Sequence, residues 1–248
     1  MHIRSIASTQ TISQELVSKV LSGAVKMWLR SQVEQVDVLD IDISGSNRSL
    51  LTGHISQVTV GASSAVYQGL HLSQVYLSAS GIHINIGQIL KGKPLQLLKP
   101  FPIHCQVCLL THDFNTSLQS PLLTNAIVEF LVSLIQSQNT QNPLLSFPSD
   151  INRWKNLQIA FSAPHQLTLT AEILSTSGEL IPFAFHTELY LDSPQDLLFT
   201  SSCLQFPQQQ QHWDFDRITI NLGTDVYIQQ LNITPEQLQI KGEIRVNP

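Results

Sequence analysis

A chain of 248 residues is long enough for one large domain or two small ones. Its formal net charge is -5, only 12% of its residues are charged, and it has no run of five or more Lys and Arg; together these exclude a nucleic-acid partner gripped through phosphates. Three cysteines are an odd and sparse set that excludes a disulfide framework and fits a reducing compartment. Met1 to Ser13 has no continuous apolar core, so no secretory signal is expected, and no apolar stretch approaches the roughly 18 residues of a membrane span.

Thr11 and Gln14 form a capping-box pattern, after which Leu16, Val17, Val20, Leu21, Ala24, Val25, Trp28 and Leu29 make one helical face reaching to about Arg30. Lys19, Lys26 and Arg30 fall within about 40° of one another on the opposite side. Alternation then predicts an antiparallel meander: a strand through Val36 to Ile43, then Leu50 to Ala62, Val66 to Ala79 and Ile82 to Ile86. Lys91, Gly92, Lys93, Pro94, Lys99 and Pro100 punctuate the chain before Phe101, Ile103, Cys105, Val107 and Leu109 alternate again.

Ser120 and Pro121 open a second helix reaching about Gln136, apolar nearly all round and therefore expected to be enclosed. A connector over 136–156 leads to strands around Leu157 to Phe161, Leu167 to Ile173, Ile181 to Leu191, Ile218 to Leu222, Val226 to Ile228 and Leu238 to Val246. Ser175 to Gly178 reads as a hairpin turn, and Gln208 to Gln211 as a short loop. The expected class is α+β in helix-meander-helix-meander order, a single domain with halves at about 10–136 and 157–248.

Candidate chemistry is sparse. Cys105 and Cys108 match C-x-x-C, but strand positions i and i+3 point to opposite faces, so neither zinc nor a redox pair is served. The nine histidines show no ligand spacing, and no nucleophile or phosphate-cradle motif occurs. No catalytic residue, metal or cofactor is expected beyond a bound phospholipid or other lipid, and the chain reads as a non-enzyme. A hydrolase would need His112 and Asp113 brought near a serine.

The segments SGSNRSLLTG, AVYQGLHLSQV, INIGQILKGKPL and THDFNTSLQSPLL resemble the LmeA-like phospholipid-binding family, formerly a domain of unknown function, in its cyanobacterial form. The resemblance covers about residues 10 to 248 and is strongest in the first half. It implies elongated, curved antiparallel sheets wrapped around long amphipathic helices, tubular lipid-binding-like, with an apolar cavity for acyl chains. The best-known members are exported envelope proteins; the lack of a signal sequence here favours a cytoplasmic, peripherally membrane-associated protein over a periplasmic one.

The expectation is therefore a phospholipid- or hydrophobe-binding protein at a membrane surface, its cavity lined by Trp28, Leu122, Ala126, Ile127, Phe130, Leu134, Phe161 and Phe183. Lys26, Arg30, Lys91 and Lys93 are the expected headgroup or membrane contacts, the cations being worth about 1 kcal/mol each near an anionic surface. Such binding is weak without an inserted apolar element. The alternative is a structural or assembly module that binds another envelope protein through its apolar face or β-edges.

Overall fold

A computed structural model describes residues 25–137 and 148–248 together with Gly23. The first helix is described over 25–32 (α1); its expected face from Leu16 to Leu21, Ala24, and the cation Lys19 lie outside the described residues, as does the middle of the 136–156 connector.

Eleven strands follow: β1 (Val38–Ser44), β2 (His54–Tyr67), β3 (Leu70–His83), β4 (Phe101–Leu110), β5 (Trp154–Ala163), β6 (Gln166–Leu174), β7 (Leu180–Ser193), β8 (Asp196–Phe206), β9 (Gln211–Asn221), β10 (Val226–Ile233) and β11 (Gln237–Val246). They form an antiparallel six-stranded sheet ordered β1-β2-β3-β4-β11-β10 and an antiparallel five-stranded sheet ordered β5-β6-β7-β8-β9. Four further helices are α2 (Asn47–Leu51), α3 (Ile86–Ile89), α4 (Thr111–Ser117) and α5 (Pro121–Ser137). The α+β class and the meander order stand, and the C-terminal β10-β11 hairpin ties the halves together by pairing with β4 of the first sheet.

Several predicted strand ends move. Ser64 and Gly81, small residues expected to mark breaks, sit inside β2 and β3 with φ of 50° and 66°, and the β2-β3 register is unbroken. Cross-strand pairing overrides the local signal there, and the turn falls instead at Gln68 and Gly69, both with positive φ. The expected strand at Ile82 to Ile86 ends at His83, and its last residue opens α3. The connection after Ser44 contains α2, which takes in Leu50, the expected start of the next strand, and is capped by Ser46, whose Oγ accepts from the Ser49 amide at 3.2 Å. Gly53 follows with φ 77°, where a Cβ would stand 2.4 Å from the Ile84 carbonyl oxygen, so only glycine lets α2 tuck against the end of β3.

Two cores result. One joins the inner face of the second sheet (Phe183, Phe185, Leu204) to α5 and to the end of the first sheet holding Leu72, Leu109 and Leu238. The other packs α1 and α3 on the opposite end of that face, around Ile55, Val58, Ile82 and Phe101. The second helix is not enclosed all round. Val128 and Leu131 are fully buried, whereas Leu122 is 48% exposed and Ala126 is also exposed. A helix laid on one sheet buries one stripe, and the sheet has selected a stripe rotated from the one that sequence spacing favoured.

The junction between the sheets is polar and specific. Asn115 on α4 grips β5 as a strand would: its Nδ2 donates to the Ile159 carbonyl and its Oδ1 accepts from the Ile159 amide, both at 2.8 Å. Ser117 Oγ accepts from the His71 amide at 2.8 Å. Ser73 Oγ donates to Asp113 at 2.5 Å while accepting from the Leu110 amide at 2.7 Å. Asn115→Ala orphans both groups of Ile159 and is expected to lower stability by about 2–4 kcal/mol in a denaturant titration; a loss below about 0.5 kcal/mol would mean that water replaces the bridge.

Candidate apolar lipid groove

The six-stranded sheet has two unlike faces because its strands alternate in register. One transverse row reads Leu39, Ala62, Val75, Val107, Ile240 and Leu231, and the next reads Asp40, Gly61, Tyr76, Gln106, Lys241 and Gln230. On the polar face the sheet forms a shallow concavity of about 610 Å³ lined by such residues as Gln74, Gln106, Asn232 and Gln239. Water fills such a surface without cost.

The apolar face differs. Beneath α1 a groove of about 410 Å³ runs along β2 and β3, from Tyr67 and Leu72 at one end to Ile84, Leu95 and Leu97 at the other. Val25, Trp28 and Leu29 of α1 form one wall; Val58, Val60, Val75 and Leu77 form the floor. Among its lining side chains only Trp28, Gln32 and Tyr67 carry a polar atom. The volume falls within the roughly 300–1,000 Å³ of small-ligand sites. Its length, about a dozen strand residues at about 3.3 Å each, exceeds the half-thickness of a hydrocarbon layer about 30 Å deep.

Of the eight residues expected to line a cavity, Trp28 lines this groove. Leu134, Phe161 and Phe183 are buried in the other core, and Ile127 and Phe130 pack against it, Phe130 with its ring 5.3 Å from that of Phe199. Leu122 and Ala126 face solvent. Lys26 and Arg30 are exposed on α1, and Lys91 and Lys93 on the loop between β3 and β4. The floor residues were not singled out in the sequence, because alternation shows that Val58, Val60, Val75 and Leu77 share faces but not which face stays open.

The other candidate chemistries have clear geometries. His112 Nε2 lies 3.0 Å from Asp113 Oδ1, and Ser73 donates to the other carboxylate oxygen. The carboxylate separates histidine from serine, so the imidazole is not placed to take the serine proton, as a nucleophilic triad requires. Among the described residues no group of three His, Cys, Asp or Glu side chains could hold a metal ion. Cys105 lies on the apolar face and Cys108 on the polar one, both free.

Burial pushes the thiols of Cys105, Cys108 and Cys203 above their ordinary pKa. A raised pKa leaves less thiolate at neutral pH, so all three are expected to react with a disulfide reagent more slowly than free cysteine until denaturant is added; fast reaction of the folded chain would contradict this.

A family model described as LmeA-like phospholipid-binding matches residues 13–243. The chain belongs to the LmeA-like phospholipid-binding family. No curated protein and no solved structure gives a match. The four segments that carried the resemblance to the LmeA-like family centre on connections and helix starts: α2, the β2-β3 turn, the β3-β4 loop, and α4 with the start of α5. In this LmeA-like chain the last of these builds the inter-sheet junction. No single helix among the described residues is long and apolar enough to cross a membrane, and the pair Thr111–Ser117 and Pro121–Gln136 is bent by 85°.

Proposed function

We propose that this chain is a non-enzymatic phospholipid-binding protein, peripheral to a membrane, that shelters an acyl chain in the groove between α1 and the apolar face of β1 to β4. The observation that carries the reading is that groove of about 410 Å³, polar at few points along its length. At about 0.8 kcal/mol per methylene, a 16-carbon chain contributes up to about 13 kcal/mol before association costs, so affinity needs no headgroup motif. Lys91 and Lys93, both exposed, serve as contacts to the membrane surface. Three free thiols fit a reducing, cytoplasmic address. The tubular arrangement belongs to the same reading, with α1 on the first sheet and α5 on the second as its helix-on-sheet layers.

Native mass spectrometry with lipid extraction tests the reading. Co-purifying phospholipid at a fixed ratio is expected. Brominated acyl chains should quench tryptophan emission in the wild type and much less in Trp28→Phe, since Trp154 and Trp213 belong to the other core. A chain that carries no lipid and takes none up from vesicles would overturn it.

A further inference from the structure

The far end of the first sheet, away from the second sheet, has an unusual charge distribution. No Asp or Glu stands between Asp42 and Asp113, although the chain carries 18 acidic residues against 13 basic ones. All four cations of that stretch, Arg48, Lys91, Lys93 and Lys99, sit on the two connections at this end, α2 and the β3-β4 loop. All are exposed, and none is ion-paired among the described residues. The nearest acids along the topology are Asp42, two residues before the end of β1, and Asp225, just before β10.

The β3-β4 loop is also built to hold apolar side chains outward. Its legs are zipped: Leu98 N–H donates to the His83 carbonyl at 2.9 Å, Ile84 bridges Leu97, and Asn85 donates to the Pro94 carbonyl at 3.1 Å while accepting from the Gln96 amide at 2.8 Å. Ile86, Ile89, Leu95 and Leu97 turn inward, the last two into the groove. Leu90 and Leu98 are left 53% and 56% exposed beside the lysines, with Leu51 of α2 at 48%. Ordered leucines amid unpaired cations at the end of an apolar groove match the layering of an anionic bilayer, phosphates outside and hydrocarbon beneath.

We propose that this end of the sheet is a membrane-docking tip. Leu90 and Leu98 enter the interfacial layer of an anionic phospholipid bilayer while Arg48, Lys91, Lys93 and Lys99 meet its phosphates, setting the groove end-on to the lipid it takes up. This rests on the phospholipid-binding reading and adds to it the partner surface and the direction of approach. It assigns docking to the loop rather than to Lys26 and Arg30 of α1.

The test is co-sedimentation of the full chain with vesicles of phosphatidylcholine alone and of equal parts phosphatidylcholine and phosphatidylglycerol, at low and high salt. Wild type is expected to prefer the anionic vesicles and to lose that preference in high salt. Leu90→Ser with Leu98→Ser should weaken binding about tenfold. Lys91→Gln with Lys93→Gln and Lys99→Gln should weaken it about a hundredfold, at roughly fivefold per cation. Lys26→Gln with Arg30→Gln should stay within about twofold. All these positions are exposed, so unchanged melting temperatures will accompany intact folds.

Equal binding to both vesicles, unaffected tip variants, or a larger loss from the α1 pair would overturn the tip. So would tip leucines that govern self-association by sedimentation velocity instead of vesicle binding, which would point to a protein contact. Uptake of a monomeric short-chain brominated phospholipid, read by Trp28 quenching, reports on the groove alone. Its absence alongside tip-dependent vesicle binding defeats the groove reading and not the tip; normal uptake by tip variants that no longer sediment supports both.

Discussion

Ala62→Trp is expected to strip the protein of co-purifying lipid while leaving it folded. Ala62 lies on the apolar face, in the row with Leu39, Val75 and Val107, and lines the groove floor. Its small side chain leaves room that an indole would fill. Displacing about four methylenes at about 0.8 kcal/mol each forfeits about 3 kcal/mol, a loss of affinity of roughly a hundredfold. Overpacking costs about 1–3 kcal/mol in closed cores and should sit at the low end beside an open groove. Lipid extracted at the wild-type ratio from a folded Ala62→Trp variant would place the bound chain elsewhere.

Leu131→Ala should do the reverse, destabilising the protein without emptying it. Leu131 is fully buried on α5, in the core that joins the second sheet to the end of the first. Truncating such a leucine costs about 2–5 kcal/mol, which for a domain of this size lowers the melting temperature by roughly 5–15 °C. Because the groove shares only Leu72 with the residues of this core and Leu131 does not line it, lipid stoichiometry below the transition should be unchanged. The pair of variants thus separates the groove under α1 from a cavity against α5, where Ile127, Phe130, Leu134, Phe161 and Phe183 were expected to act. If Leu131→Ala loses lipid and Ala62→Trp keeps it, the α5 side is the binding site.

The reach of the local signals separates the elements legible in the sequence from the rest. Phe101, Ile103, Cys105, Val107 and Leu109 alternate over a whole strand and were legible as β4, just as Ser120 and Pro121 announced the start of α5; the Leu123 amide donates to Ser120 Oγ at 3.2 Å. Strand β8 was not legible: Leu197, Leu198 and Phe199 stand in succession, half-buried on both sides between β7 and β9, with no period of two. Helix α4 was missed because Thr111 to Ser117 has few helix formers; Asn115, Ser117 and Asp113 are held there by partners 40 to 46 residues away.

The candidate site divides the same way. Lys91 and Lys93 stood out as a charged turn, and Trp28 as part of an apolar helical face. Leu90, Leu98 and the absence of acid from Asp42 to Asp113 were equally visible in the sequence. Their meaning was not, since an exposed leucine is defined only by what fails to pack on it.

By itself the sequence determined the α+β class, most strands, the start of α5 and the lack of familiar catalytic motifs, because each depends on residues within a few positions of one another. Its segments also carried the family resemblance. Only the tertiary structure decided that β10 and β11 return to the first sheet, which stripe of α5 is buried, and which half of one apolar face is filled by the second sheet and which stays open under α1. Those choices rest on pairings more than 100 residues apart, such as Cys105 with Gly242, and no local period records them.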